Sequence, residues 1–153
     1  MKISGRTLLL AAGSCSFAVA ALHVAIAISG QASWYRYFGG LRQAVQVEAG
    51  SVLRPTLLTL AIAAVFALWG CYGLSGAGVV RRLPFLRAAL FAIAGIYLLR
   101  ALVLIPELPA LWRGLVPLRY PAFSVISGCA GVLYLLGVLR APHEGGGPRA
   151  HAA

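Results

Sequence analysis

Acidic residues are almost absent from this chain: its 153 residues include three glutamates and no aspartate. Charged residues of both signs make up only 10%, against about a quarter in a soluble domain. Hydrophobic residues make up 61%, which is more apolar side chain than one soluble core of this size can bury. The composition therefore excludes soluble globular, disordered and disulfide-scaffold proteins, and it leaves an integral membrane protein.

Cysteine and histidine are also scarce, which excludes the common metal and cofactor sites. The three cysteines lie in different apolar runs without CxxC or metal-ligand spacing, so we expect reduced, packed thiols. Only His23 of the three histidines lies in an apolar run, so a haem held by two histidines is not expected. No catalytic motif such as HExxH, GxSxG or Walker A occurs, and every glutamate lies outside the apolar runs. We therefore expect no cofactor and no metal, and the chain lacks the usual groups for acid–base catalysis inside a membrane.

Four continuous apolar runs are long enough to cross a membrane, at 7–29, 55–74, 88–105 and 122–139. A bilayer core of about 30 Å needs roughly 20 helical residues. The predicted fold class is therefore an all-α integral membrane protein, a bundle of four transmembrane helices in one domain over residues 1–140. The first run also resembles the apolar part of a signal peptide, but its length favours an uncleaved helix. Residues 141–153 have no apolar periodicity, which predicts a disordered cytoplasmic tail.

Basic residues outnumber acidic ones by 13 to three, but they are spread thinly between the apolar runs. Because they form no basic stripe, nucleic acid is not an expected partner, and contact with membrane lipids, including anionic head groups, is. The termini and the middle loop hold seven Lys and Arg residues and the other two loops hold five, which predicts both termini in the cytoplasm. The Arg, Ala, Gly and Leu bias is typical of a GC-rich bacterial genome and so favours a bacterial inner membrane. A homo-oligomer or a larger membrane complex stays open.

The two loops on the predicted outer side contain short amphipathic patterns. In the first loop, Trp34, Phe38, Leu41 and Val45 recur at helical spacing, interrupted by glycines at 39–40 that should bend or break the helix. In the other outer loop, leucines recur at 108, 111, 115 and 118. Both patterns predict short segments that lie at the membrane interface, with tryptophan and tyrosine as anchors.

Arg100 is the one charged residue well inside an apolar run, where an arginine costs about 2.5–3.5 kcal/mol to insert. Its side chain either extends to the outer surface or pairs inside the bundle, with Glu107 as the first candidate partner and Glu48 as the second. His23 lies at a similar predicted depth, and Tyr97 lies one helical turn before Arg100. We therefore interpret these side chains as one polar layer and take His23, Tyr97, Arg100 and Glu107 as the candidate ligand-binding residues.

Several segments resemble those of small four-helix bacterial inner-membrane proteins of uncharacterised function. The resemblance covers most of residues 20–140 and is carried by His23, the 34–39 stretch, the 76–84 loop, and Tyr97 with Arg100. It implies a four-helix architecture and carries no activity across.

Two functional hypotheses fit these observations. The first is a non-enzymatic accessory or scaffold subunit in which the polar layer only stabilises the bundle, and the sequence favours it. The second is a binder or carrier of a small ligand, such as a lipid, a quinone or an anion, with a polar pocket open to the outer side. The two hypotheses differ in whether Arg100 faces a cavity, a partner carboxylate or lipid.

Overall fold

A computed structural model describes residues 3–141 of the chain, and these residues form helices and no strand. The predicted all-α fold class is confirmed. The predicted tail lies, from residue 142 onward, outside the described residues. The seven helices are α1 (Gly5–Ser29), α2 (Ala32–Tyr37), α3 (Leu41–Glu48), α4 (Leu53–Gly76), α5 (Leu86–Ala101), α6 (Leu104–Trp112) and α7 (Arg119–Arg140).

Four helical segments are long and apolar enough to span a membrane: α1, α4, the α5–α6 run Leu86–Trp112, and α7. The chain is therefore a multi-pass membrane protein built as a four-helix bundle. Local sequence signals account for the ends of α1. The Ser4 hydroxyl accepts a hydrogen bond from the Thr7 amide at its start, and Gly30 adopts the left-handed conformation, with φ of 60°, at its end.

The third span is longer than the predicted run 88–105 and extends over Leu86–Trp112. The α5 helix ends at Ala101, and after a tight turn α6 begins at Leu104 and continues through Pro106 and Pro109. Pro106 lies in the first turn of α6, where its missing N–H has no helical partner to lose. The break lies before the prolines, and Glu107 therefore belongs to the separate short helix α6.

The α1 helix packs against both α4 and α7, and α5 packs against α7. Glycine permits the close approach of α1 and α4, because a Cβ on Gly73 of α4 would lie 2.7 Å from the Cα of Gly13 on α1. On the other side of the bundle, a Cβ on Gly131 of α7 would lie 2.8 Å from Leu98 of α5. The core between the helices includes Leu9, which is fully buried.

The short helices α2, α3 and α6 gather at one end of the bundle. The break between α2 and α3 falls at the expected glycines, and Gly39 has a φ of 90°. Next to that break, Phe38 stacks on Phe123 of α7 with 5.9 Å between ring centroids. At the same end the guanidinium of Arg119 lies 4.8 Å from the ring centroid of Tyr37. The beginning of α7 is thus covered by the first interhelical loop.

Candidate functional site

A cavity of about 430 Å³ lies between α1, α4, α5 and α7, in the half of the bundle next to α2 and α3. Three of the four predicted site residues, His23, Tyr97 and Arg100, line it. Glu107 is not among the lining residues. The volume falls within the usual range for small-ligand pockets, about 300–1,000 Å³. The apolar and aromatic part of the wall comprises Val19, Leu22, Ile26, Phe38, Phe66, Trp69, Ile96, Phe123 and Ile126.

Aromatic rings in mutual contact form one wall of the cavity. The His23 ring lies 5.3 Å from the ring of Phe66, which in turn lies 5.1 Å from Trp69. Trp69 meets Tyr97 edge to face at 5.2 Å. These separations are typical of favourable aromatic pairs. The wall therefore presents packed ring faces and edges to anything that enters the cavity.

One hydrogen bond sets the tautomer of His23. Its Nδ1 lies 2.8 Å from the carbonyl oxygen of Val19, one helical turn earlier. A carbonyl only accepts, so Nδ1 carries the hydrogen, and Nε2 of the neutral ring is an acceptor. Nε2 has no hydrogen-bond partner among residues 3–141. His23 thus brings an unused acceptor to a cavity that its ring lines.

Tyr97 belongs to a buried chain of hydroxyl groups whose direction follows from its last member. The Tyr134 hydroxyl donates to the carbonyl oxygen of Trp69 at 2.8 Å, which uses its single hydrogen. Ser16 Oγ, 2.9 Å away, must then donate to Tyr134, and Tyr97, 3.0 Å from Ser16, must donate to Ser16. The Tyr97 oxygen therefore keeps only acceptor capacity for another partner.

Arg100 reaches Glu107 through the hydroxyl of Ser124. The Nη1 of Arg100 donates to Ser124 Oγ at 2.8 Å, and Ser124 Oγ donates to Glu107 Oε2 at 2.5 Å. Ser124 is fully buried, whereas Arg100 is exposed and Glu107 is half-buried, so both hydrogen bonds of the bridge are only partly buried. The guanidinium has several N–H groups, so donors beyond Nη1 remain for a ligand in the cavity.

The second predicted partner of Arg100 is engaged elsewhere. Glu48, at the end of α3, forms an exposed ion pair with Arg36 of α2. That pair joins the two short helices and does not contact the cavity. Of the two glutamates within residues 3–141, Glu107 is the one connected to Arg100.

Four residues that carry this geometry were not among the predicted site residues: Ser16, Ser124, Ser127 and Trp69. Ser127 lines the cavity and donates to the carbonyl oxygen of Phe123 at 2.9 Å, which leaves its oxygen as an acceptor. A serine in an apolar span is a weak signal, because such serines also serve as small packing residues. Ser16 lies two helical turns before His23 on α1, and that register is a signal the sequence offers. Trp69, Ser124 and Ser127 lie on helices that hold neither His23 nor Arg100, so the sequence offers no such signal for them.

The described part of the chain contains no group of three or more His, Cys, Asp or Glu side chains arranged to hold a metal ion. The site is instead an apolar and aromatic cavity with a few polar groups on its wall, inside a four-helix membrane bundle. Comparison with protein-family models, with curated proteins and with solved structures finds no match for this chain.

Proposed function

We propose that this protein binds a small membrane-soluble ligand, with a ring or chain among the aromatic side chains and a polar group near Arg100 and His23. The observation that carries the proposal is the position of Arg100, which lines a cavity of about 430 Å³ although it already contacts Ser124. An arginine kept only to stabilise the bundle has no need of an adjoining cavity. A protein that binds or carries a ligand uses both the arginine and the cavity.

The accessory-subunit hypothesis treats the same residues as structural. It explains the Arg100–Ser124–Glu107 bridge, because that bridge offsets the cost of a charge in the span. It does not explain why His23 and Arg100, the two polar residues that stand out in the apolar runs, line one cavity. We therefore place ligand binding ahead of a purely structural role.

For the cellular location, we propose a bacterial inner membrane with both termini in the cytoplasm. The support is the distribution of Lys and Arg, seven on the terminal side and five in the other two loops. In this orientation α2, α3 and α6 lie on the outer side, and the cavity lies in the outer half of the bundle. A ligand would then enter from the outer leaflet or the periplasm.

The direct test uses Trp69 as a reporter inside the cavity wall. Replacing Trp34 and Trp112 with Phe leaves Trp69 as the sole tryptophan of the chain. The purified variant in lipid nanodiscs is titrated with 4-bromophenol, whose bromine quenches indole fluorescence at short range. We expect a saturable quenching component above the linear background from probe dissolved in the lipid.

A plugged cavity supplies the matched comparison. Ser127→Phe should fill the space and remove the saturable component. Val125→Phe, on the same helix but 48% exposed and outside the cavity wall, should leave it intact. Quenching that stays linear in the unplugged protein, or that saturates equally in Ser127→Phe, would rule out the proposed function.

A further inference from the structure

The hydrogen-bond polarity of the cavity wall indicates what kind of ligand it fits, and this inference rests on the proposed function. Three of the residues that line the wall have a polar atom with only acceptor capacity left. His23 has Nε2 left, Tyr97 donates its hydrogen to Ser16, and Ser127 donates its hydrogen to the carbonyl of Phe123. A ligand that complements these groups must itself donate hydrogen bonds, as a hydroxyl does.

Arg100 differs from these acceptors in that its side chain only donates hydrogen bonds. Its guanidinium is always charged and only donates, so it requires an acceptor oxygen on the ligand. The positive charge already has a counterpart, because Ser124 connects Arg100 to the carboxylate of Glu107. The pair is neutral as a whole, so an anionic ligand would bring an uncompensated charge into an apolar cavity. A neutral ligand with both hydroxyl hydrogens and oxygen lone pairs avoids that cost.

The rest of the wall favours a flat ring over a flexible chain. His23, Phe66, Trp69 and Tyr97 contact one another in series, and Phe38 and Phe123 stack on each other among the remaining lining residues. Aromatic side chains pack well against the face or edge of another ring. Their rigidity also lowers the entropy lost when a rigid ligand binds.

We propose that the cavity binds a neutral aromatic diol of the hydroquinone class, in its reduced form. One hydroxyl donates to Nε2 of His23, and an oxygen of the ring substituents accepts from the guanidinium of Arg100. The corresponding quinone has the ring and the acceptor oxygens but no hydrogen to donate. It would leave Nε2 of His23 without a donor, which lowers its affinity relative to the hydroquinone.

The test compares three ligands of nearly the same shape. Trimethylhydroquinone, trimethylbenzoquinone and the dimethyl ether of the hydroquinone are titrated calorimetrically into the full chain in nanodiscs under anaerobic conditions. The Ser127→Phe variant supplies the background from partition into lipid. We expect the hydroquinone to bind about tenfold more tightly than the quinone or the dimethyl ether, because a buried acceptor left unpaired typically costs affinity of that order.

Substitution of His23 separates hydrogen bonding from general damage to the fold. His23→Phe keeps a ring against Phe66 but removes the acceptor, so hydroquinone affinity should fall to that of the quinone, while quinone affinity stays within about twofold. His23→Gln restores an acceptor oxygen and should recover part of the preference. Equal loss for both ligands in His23→Phe would contradict the assigned role of Nε2.

The outcomes for the two proposals are distinct. If 4-bromophenol saturates the cavity but the quinone or the dimethyl ether binds as tightly as the hydroquinone, the cavity binds ligands and the hydroquinone assignment is wrong. If 4-bromophenol shows no saturable binding, the proposed function itself fails. A hydroquinone preference that persists unchanged in Ser127→Phe would also overturn the assignment, because the binding would lie outside the cavity.

Discussion

Arg100 of α5 and Glu107 of α6 lie on either side of the break at residues 102–103, and both contact the hydroxyl of Ser124 on α7. The serine accepts from the arginine and donates to the carboxylate, so one buried hydroxyl joins three helices. This arrangement offsets part of the free-energy cost of placing a charged side chain inside a membrane span. The guanidinium gains a polar partner on the bundle side and a connection to an opposite charge.

The first prediction concerns the energetic coupling of Arg100 and Glu107. Arg100→Ala and Glu107→Ala should each destabilise the protein, and the double variant should cost less than the sum of the two. We expect a coupling free energy of about 0.5–3 kcal/mol, because the second substitution removes a charge that the first left unpaired. Unfolding in mixed detergent micelles, followed by circular dichroism, measures all four states of this cycle.

The exposed pair Arg36–Glu48 is the matched control for that cycle. Its side chains are 53% and 47% exposed, so the same alanine cycle should give a coupling of at most about 1 kcal/mol. In Ser124→Ala, the coupling between Arg100 and Glu107 should fall, because the bridging hydroxyl is gone. Additive effects at Arg100 and Glu107 in the native background would disprove the bridge.

The second prediction compares two helical glycines with opposite surroundings. Gly73→Ala would place a Cβ 2.7 Å from the Cα of Gly13, a backbone atom that cannot move without separating α1 from α4. We expect a loss of about 1–3 kcal/mol in the free energy of unfolding. Gly95 of α5 has no atom within 4 Å of the corresponding position, so Gly95→Ala should be neutral or stabilise the helix by up to about 1 kcal/mol. Equal effects of the two substitutions would show that α1 and α4 do not approach as described.

The third prediction concerns orientation in the membrane. In a background with all three cysteines replaced by serine, Ser33→Cys should react with a membrane-impermeant maleimide added to intact bacterial spheroplasts. Val80→Cys, in the loop between α4 and α5, should react only after the membrane is permeabilised. Both positions are exposed, so reagent access depends on the side of the membrane alone. The reverse labelling pattern would invert the proposed topology.

The sequence was sufficient to predict the bundle because the physical signal is collective. Continuous apolar runs of membrane-spanning length leave few alternatives to helices, whatever the order of residues within them. The break at Gly39 was also predictable, since glycine there weakens an otherwise regular helical pattern. The end of the third span was not, because a proline at the end of an apolar run is typical of a helix end but is also tolerated in the first turn of a new helix.

The sequence predicted only those site residues whose side chains are costly to place in an apolar span. Arg100 and His23 are unusual in an apolar run, and both line the cavity. Ser124 is not unusual there, and its role depends on how α7 is rotated against α5. A span that is apolar on all sides has no amphipathic pattern to reveal that rotation. The contact of Ser124 with Arg100 and Glu107 depends on the relative position of α5, α6 and α7, which the sequence of any one helix does not contain.

The last prediction applies one substitution to two buried tyrosines and expects opposite signs. Tyr35 is 3% exposed, and its hydroxyl has no hydrogen-bond partner in the described part of the chain. Tyr134 is fully buried, and its hydroxyl bonds with Ser16 and with the carbonyl of Trp69. Tyr35→Phe removes a polar group that gains nothing in the folded state, so it should raise the free energy of unfolding, by about 1 kcal/mol.

Tyr134→Phe removes a hydroxyl that both donates and accepts, and it leaves the buried Ser16 hydroxyl to find another acceptor. We expect it to lower the free energy of unfolding by about 1–3 kcal/mol. The two variants differ from the native chain by the same single oxygen, so volume and aromatic packing stay nearly constant in both. Denaturation in mixed micelles measures both values under one set of conditions. If Tyr35→Phe destabilises the protein as much as Tyr134→Phe does, this prediction is wrong. The Tyr35 hydroxyl must then form a hydrogen bond in the folded protein, to water or to a lipid head group.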